Sequence, residues 1–123
     1  MSAELDRLLT TLLALPQETE WVEFKHNYAD PEEIGEYVSA LANSAALHGK
    51  DTAYLVWGVE DGRQRIVGTT FRPRQARVGN EELENWLLRL LAPRADIRIR
   101  EWRYGGYDVV LFEIPRALHT PVR

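Results

Sequence analysis

Apolar residues at Leu5, Leu8, Leu9, Leu12 and Leu13 recur at the spacing of one helical face. They predict a short amphipathic helix over residues 5–15, stopped by Pro16. The pattern then changes to period two. In Trp21-Val22-Glu23-Phe24-Lys25 a strand sets Val22 and Phe24 on one side and Trp21, Glu23 and Lys25 on the other. Asp30-Pro31-Glu32-Glu33 is a helix start: Asp30 can cap, Pro31 sits where its missing N–H costs nothing, and Glu33 has capping-box spacing. The helix it opens would bury Ile34, Val38, Leu41, Ala42 and Ala45 with Tyr37 beside them, and Gly49 can close it.

The nearly continuous apolar run Ala53-Tyr54-Leu55-Val56-Trp57-Gly58-Val59 predicts a central strand covered on both faces. Glu60-Asp61-Gly62 turns the chain, and Arg65-Ile66-Val67-Gly68-Thr69 returns as a hairpin strand. Periodicity lapses over residues 71–79, which predicts a loop or single helical turn. Asn80 can cap a second core helix bearing Leu83, Trp86, Leu87, Leu90 and Leu91, with Pro93 as its stop. Residues 97–103 alternate apolar and charged, predicting one buried face and one row of arginines. Tyr104-Gly105-Gly106-Tyr107 turns the chain into the strand Val109-Val110-Leu111-Phe112-Glu113-Ile114, and Pro115 and Pro121 break the tail of the chain. The order α-β-α-β-β-α-β-β predicts an α+β fold: a two-layer sandwich in which a mixed sheet of about five strands carries two main helices on one face, plus the N-terminal helix. Residues 1–15 would be that helix and residues 16–123 the domain proper.

The chain has 123 residues, 45% of them apolar and 28% charged, which is the balance of an ordered globular domain rather than a disordered segment. The absence of cysteine excludes disulfides, thiolate zinc sites and cysteine nucleophiles. His26, His48 and His119 lack metal-ligand spacing. No apolar run is long enough to cross a bilayer, and the N-terminus lacks a basic region followed by an apolar core; a cytoplasmic location with no membrane partner is the expectation.

Net charge is −4, but it is unevenly distributed. Residues 1–62 carry three basic and twelve acidic groups, net −9; residues 63–123 carry twelve basic groups, all arginine, against seven acidic ones, net +5. Arginine's planar fork suits phosphate. Arg72, Arg74 and Arg77, helped by Arg98, Arg100 and Arg103, form the candidate surface for a nucleic-acid backbone. The plain alternative is that the excess pairs with the acidic half of the chain.

Glu18-Thr19-Glu20-Trp21-Val22-Glu23-Phe24-Lys25 concentrates carboxylates and one lysine. Glu23 and Lys25 share a strand face, and a loop could fold Glu18 towards them. Two acidic groups and an ammonium at one spot could hold a divalent cation and stabilise a phosphate. A solvated strand face with a weak ion pair is the plain reading. Asn43 and Ser44 are either helix-end hydrogen-bonding groups or ligand contacts. No G-x-x-x-x-G-K run occurs, so ATPase chemistry is not expected.

Four pieces in order resemble the Schlafen AlbA-like domain, described as a DNA-binding domain of divergent AAA-type proteins and associated transcriptional regulators. They are residues 18–25; Ser39-Ala40-Leu41-Ala42-Asn43-Ser44; Trp57-Gly58-Val59-Glu60-Asp61-Gly62 with Ile66-Val67-Gly68; and Val109-Val110-Leu111-Phe112-Glu113-Ile114-Pro115 with Pro121 beyond. The chain departs from the family pattern after Asn43, where a paired glycine is usual and Ser44-Ala45-Ala46 stands instead. The resemblance implies an Alba-like fold and a DNA or RNA partner. In Schlafen relatives it also implies a metal-dependent RNase centre of three acids, which correspond here to Glu18, Glu23 and Asp61, with Lys25 offsetting phosphate charge.

The leading expectation is therefore a nucleic-acid-binding domain of a bacterial transcriptional regulator or ATP-binding-domain-associated protein. It would contact phosphates through Lys25, Asn43 and the six arginines. The enzymatic alternative is a nuclease using Glu18, Glu23, Lys25 and Asp61, with Mg²⁺ or Mn²⁺ held by Glu18, Glu23 and Asp61. A third is an interaction module that forms a homo-oligomer through the N-terminal helix or the sheet.

Overall fold

The computed structural model describes residues 3–17, 19–60, 62–90 and 96–117. Helix α1 (Ala3–Leu13) is followed by β1 (Val22–Lys25), α2 (Pro31–Leu47), β2 (Thr52–Trp57), β3 (Val59–Glu60), β4 (Arg65–Ile66), β5 (Arg77–Val78), β6 (Glu81–Glu82), α3 (Leu83–Leu90), β7 (Arg98–Tyr104) and β8 (Tyr107–Pro115). The main sheet has the order β1-β2-β8-β7, with β1 parallel to β2 and the remaining pairs antiparallel. The fold is α+β, as the element order predicts.

Because alternate strand residues point to opposite faces, the sheet divides its side chains between two clusters. Ala53, Leu55 and Trp57 of β2 join Val110, Phe112 and Ile114 of β8 and Ile99 of β7 beneath α2 and α3. Val56 of β2 joins Val22, Val109 and Leu111 on the other face, with Leu9 and Leu12 of α1. The two main helices thus cover one face, and the N-terminal helix closes the other with its apolar side buried in its own domain. Trp57 anchors the first cluster, its ring 4.6 Å from Phe71 and 4.8 Å from Phe112. Its indole N–H donates to the Tyr28 carbonyl at 2.7 Å, so the large ring is buried without an unpaired donor.

Helix α2 starts and stops where its sequence indicates. The Asp30 carboxylate accepts the Glu33 N–H at 3.1 Å, and Pro31 occupies the first turn. Only half of the capping box forms, since the Glu33 carboxylate accepts the Tyr28 hydroxyl at 3.3 Å instead. At the other end Gly49 takes φ +68°, and the Lys50 and Gly49 amides return to the carbonyls of Ala45 and Ala46.

Two details differ from the sequence expectation. The main sheet has four strands, because the segment after β2 leaves it. Gly58 adopts φ +106° and turns the chain out, so β3 and β4 form a separate two-stranded ribbon. Asn80 caps no helix; it lies in the turn between β5 and β6, and α3 begins three residues later. The expected helical residue Leu91 and the stop at Pro93 lie outside the described residues, as does Pro121.

A Cβ at Gly58 would lie 3.0 Å from Val109 Cγ1 and 3.1 Å from the Asp108 carbonyl. Gly58→Ala therefore adds a steric clash to an unfavourable backbone conformation. It should lower stability by about 2–4 kcal/mol, read as a reduced urea midpoint; an unchanged midpoint would contradict the close packing of this turn on β8.

Candidate nucleic-acid interface

Strand β1 places Glu23 and Lys25 together on the face of the sheet that α2 covers, opposite Val22 and Phe24. Lys25 Nζ lies 3.7 Å from Glu23 Oε2, 2.5 Å from the Tyr37 hydroxyl and 4.1 Å from the centre of the Tyr37 ring. The ammonium is thus held by a carboxylate and by both polar and aromatic parts of one tyrosine. Tyr37 projects from α2 and reads in sequence as a core residue; only the packing of α2 on β1 reveals its contact with Lys25. Asn43 is exposed and lies away from the residues through which α2 meets the sheet, Ile34, Val38, Leu41 and Ala45.

Glu18 and Asp61 lie outside the described residues. Their neighbours meet: the Gln17 side-chain amide donates to the Gly62 carbonyl. The Gln64 amide donates to the carbonyls of Leu13 and Leu15, at 2.9 and 3.0 Å. These bonds tie the β3–β4 turn to the segment between α1 and β1. Among the described residues no three His, Asp or Glu side chains gather as a metal site.

The six arginines do not form one row. Ile97 and Ile99 are buried, and their side of β7 continues into exposed Glu101 and Arg103. Arg98 and Arg100 share the opposite face with Trp102 and Tyr104, which bond to α1 through Asp6 at 2.9 Å and Thr10 at 2.7 Å. Side chains alternate strictly along β7, but the apolar and charged residues change faces at Arg100-Glu101, because the two faces of the strand end differently. Its tip runs past the apolar cluster beneath α2 and α3 on one side, whereas α1 still covers it on the other. Arg100 pairs with Glu113 at 3.3 Å, and Arg77 donates to the Asn80 carbonyl at 3.0 Å.

Arg72 and Arg103 do converge. Their guanidinium groups lie 2.9 and 3.1 Å from the two oxygens of Asp108, and Arg72 also donates to the carbonyls of Thr69 and Phe71. Arg103 donates in addition to the Gly106 carbonyl. Arg74 joins them through its guanidinium on the Ile99 carbonyl, while its backbone N–H donates to Glu101. These partly exposed pairs contribute little stability, about 0–1 kcal/mol each. Their effect is to order three cationic forks around the β7–β8 hairpin.

Beside them runs a groove of about 280 Å³ lined by His26, Asn27, Thr70, Arg103, Tyr107 and neighbours. It adjoins a second depression of about 190 Å³ that also has Arg103 and Asp108 in its wall. Asn27 organises the near side: its carbonyl oxygen accepts from the Thr69 hydroxyl at 2.8 Å and the Thr70 N–H at 2.9 Å. Asn27 marks only the end of a strand in the sequence, and Asp108 only a hairpin position, so neither carried a local signal of this role. At the start of α2 the Tyr28 phenol, exposed but hydrogen-bonded to Glu33, has a raised pKa chiefly because of that carboxylate's charge.

The family model described as Schlafen, AlbA_2 matches residues 18–123. Among solved structures, the chain resembles the N-terminal domain of a RecG-related protein from Nitrosomonas europaea. Identity is 23% and the TM-score 0.57, over 91% of this chain and 72% of that one, a likeness of fold. A Corynebacterium diphtheriae protein is matched at 20% identity and TM-score 0.44, over 93% of this chain and 22% of that one. No curated protein matches the chain.

Asn27→Ala removes the acceptor that joins the end of β1 to the 68–71 segment. It should cost about 1–2 kcal/mol and speed hydrogen exchange at the Thr70 amide. Unaltered protection of that amide would show that the segment is held by other contacts.

Proposed function

The chain belongs to the Schlafen, AlbA_2 family, and on that premise we propose that it is a nucleic-acid-binding domain that grips phosphates through Arg72, Arg74 and Arg103. The observation that carries this is the sharing of Asp108 by two guanidinium groups. With Arg74 counted, three guanidinium groups stand against the carboxylates of Asp108 and Glu101, so the cluster keeps a positive excess. Each guanidinium has five N–H donors, more than the bonds that Arg72 and Arg103 make within the protein. Held this way, the forks lose little further side-chain freedom on meeting a phosphate. Such contacts position a backbone without reading its bases. The role extends to that of the DNA- or RNA-contacting part of a bacterial transcriptional regulator or ATP-binding-domain-associated protein, a reading supported by family membership alone.

Because carboxylates neutralise part of the arginine excess, binding should be moderate and salt-sensitive. With two or three phosphate contacts, the slope of log K against log salt should be about −1.5 to −3. Arg103→Ala should flatten it by about one phosphate contact, as measured by titrating mixed-sequence DNA and RNA at several salt concentrations. No affinity for either polymer at low ionic strength would defeat the proposal.

One observation favours a second reading, a metal-dependent nuclease. The bond from Gln17 to Gly62 joins the residue before Glu18 to the residue after Asp61. On this reading Glu18, Glu23 and Asp61 would be the ligands. The donor set fits a hard divalent cation such as Mg²⁺ or Mn²⁺, which prefers oxygen ligands. Bound there, the ion would supply Lewis-acid stabilisation of the phosphate and an activated water. Glu23 would help hold it, and Lys25, steadied by Tyr37, would offset phosphate charge. Mn²⁺-dependent RNA cleavage should then fall more than about tenfold in Glu23→Gln with the circular dichroism spectrum retained. Equal cleavage by both proteins would sink this reading.

A further inference from the structure

The groove beside Arg103 has an aromatic wall that phosphate binding does not require. Tyr107 stands at the start of β8 with 48% of its surface exposed, although it is a large aromatic residue. Its ring is nevertheless backed by the protein. Gly68 adopts φ +83°, and a Cβ there would come within 3.3 Å of Tyr107 Cδ1, so the missing side chain lets the ring approach the backbone. The two-residue turn Gly105-Gly106, with both φ values positive, fixes where Tyr107 emerges. Tyr107 and Asp108 leave β8 on opposite faces, but Arg103, held by Asp108 and by the Gly106 carbonyl of the turn, lines the same groove as Tyr107 at the hairpin tip. His26 and Asn27 also line the groove, and the Asn27 carbonyl oxygen is already engaged by Thr69 and Thr70. That leaves the Asn27 NH₂ group to donate elsewhere.

A supported aromatic ring, an arginine and further hydrogen-bonding groups in one groove are the components that hold unpaired nucleotides. A base stacks on the ring and its phosphate meets the cation. In a duplex the bases are stacked on one another, and their faces cannot reach an external ring without being flipped out. We propose that this groove takes an unpaired nucleotide, its base stacked on Tyr107 and its phosphate on Arg103, so that the domain selects single strands over duplex. The proposal rests on the nucleic-acid-binding reading above and adds to it the strandedness of the ligand and the residue that senses it.

The test measures binding of labelled ten-nucleotide DNA and RNA single strands and of their matched duplexes to the whole chain. A single strand of at least one sugar type should bind about tenfold or more tightly than its duplex, and the DNA and RNA arms report which sugar is accepted. Tyr107→Ala should lose about tenfold for that strand and far less for the duplex. Tyr107→Phe, which keeps the ring, should restore the single-strand preference. A 2-aminopurine base in the bound strand should be quenched by the wild type and not by Tyr107→Ala. If duplex binds as well as single strands, or if Tyr107→Ala keeps the preference and the quenching, the stacking site is refuted while phosphate binding stands. If nothing binds at low salt, the nucleic-acid reading itself falls and takes this one with it.

Discussion

The constraint on which the rest depends is that β2 and β8 are buried on both sides. Once Leu55 and Phe112 face α2 and α3, Val56 and Leu111 must face α1, and the same two-residue period extends through the hydrogen-bonded register to β1 and β7. A one-residue slip would exchange every side chain between the faces and leave neither cluster closed. Charged residues on the outer strands therefore inherit their positions from apolar residues on the inner ones. Glu23 and Lys25 lie under α2 because Val22 and Phe24 are required on the other face. Arg103 is separated from Arg100 for the same reason.

Three residues with short side chains connect this core to the loops that line the groove. Gly58 turns the chain out of the sheet, and its carbonyl accepts the amides of Val67 and Gly68. Asn27, just beyond β1, holds Thr69 and Thr70, while the Thr69 amide donates to the Asp108 carbonyl at 2.9 Å. The 67–70 segment is thereby fastened to the ends of β1, β2 and β8 together. A loop anchored at several strand ends can present side chains with the precision that polyanion binding needs and that a free loop does not provide.

Electrostatics moderates what the arginine count suggests. Arg72 and Arg103 share Asp108, Arg100 meets Glu113, Arg89 meets Glu81, and Arg65 and Arg116 meet Glu60 and Asp51. Most of these carboxylates belong to the arginine-rich half itself, so pairing is largely local rather than an exchange between the two halves. A surface of this kind is cationic in small clusters. In the proposed binding role, affinity would depend on ordered forks and aromatic contacts more than on a long-range field, which salt at physiological strength screens within about 8 Å.

By itself the sequence determined the elements. The leucine spacing of α1, the Asp30-Pro31 start and Gly49 stop of α2, the apolar run of β2 and the Gly105-Gly106 hairpin are all local signals, because caps, turns and periodicity act over a few residues. It also carried the family resemblance and marked Glu23 and Lys25 as neighbours on one strand face. Tertiary structure alone decided which distant groups meet: Tyr37 with Lys25, Asp108 with Arg72 and Arg103, Asn27 with Thr69 and Thr70, and Tyr107 with Gly68. Those encounters follow from sheet order and from where each covering helix ends, and no short stretch of chain encodes either. The single arginine row inferred from β7 failed for a reason already in the sequence: Arg100 and Glu101 are adjacent, so the two-residue period itself sets Arg103 opposite Arg98 and Arg100. Tertiary structure decided only which end of each face stays covered.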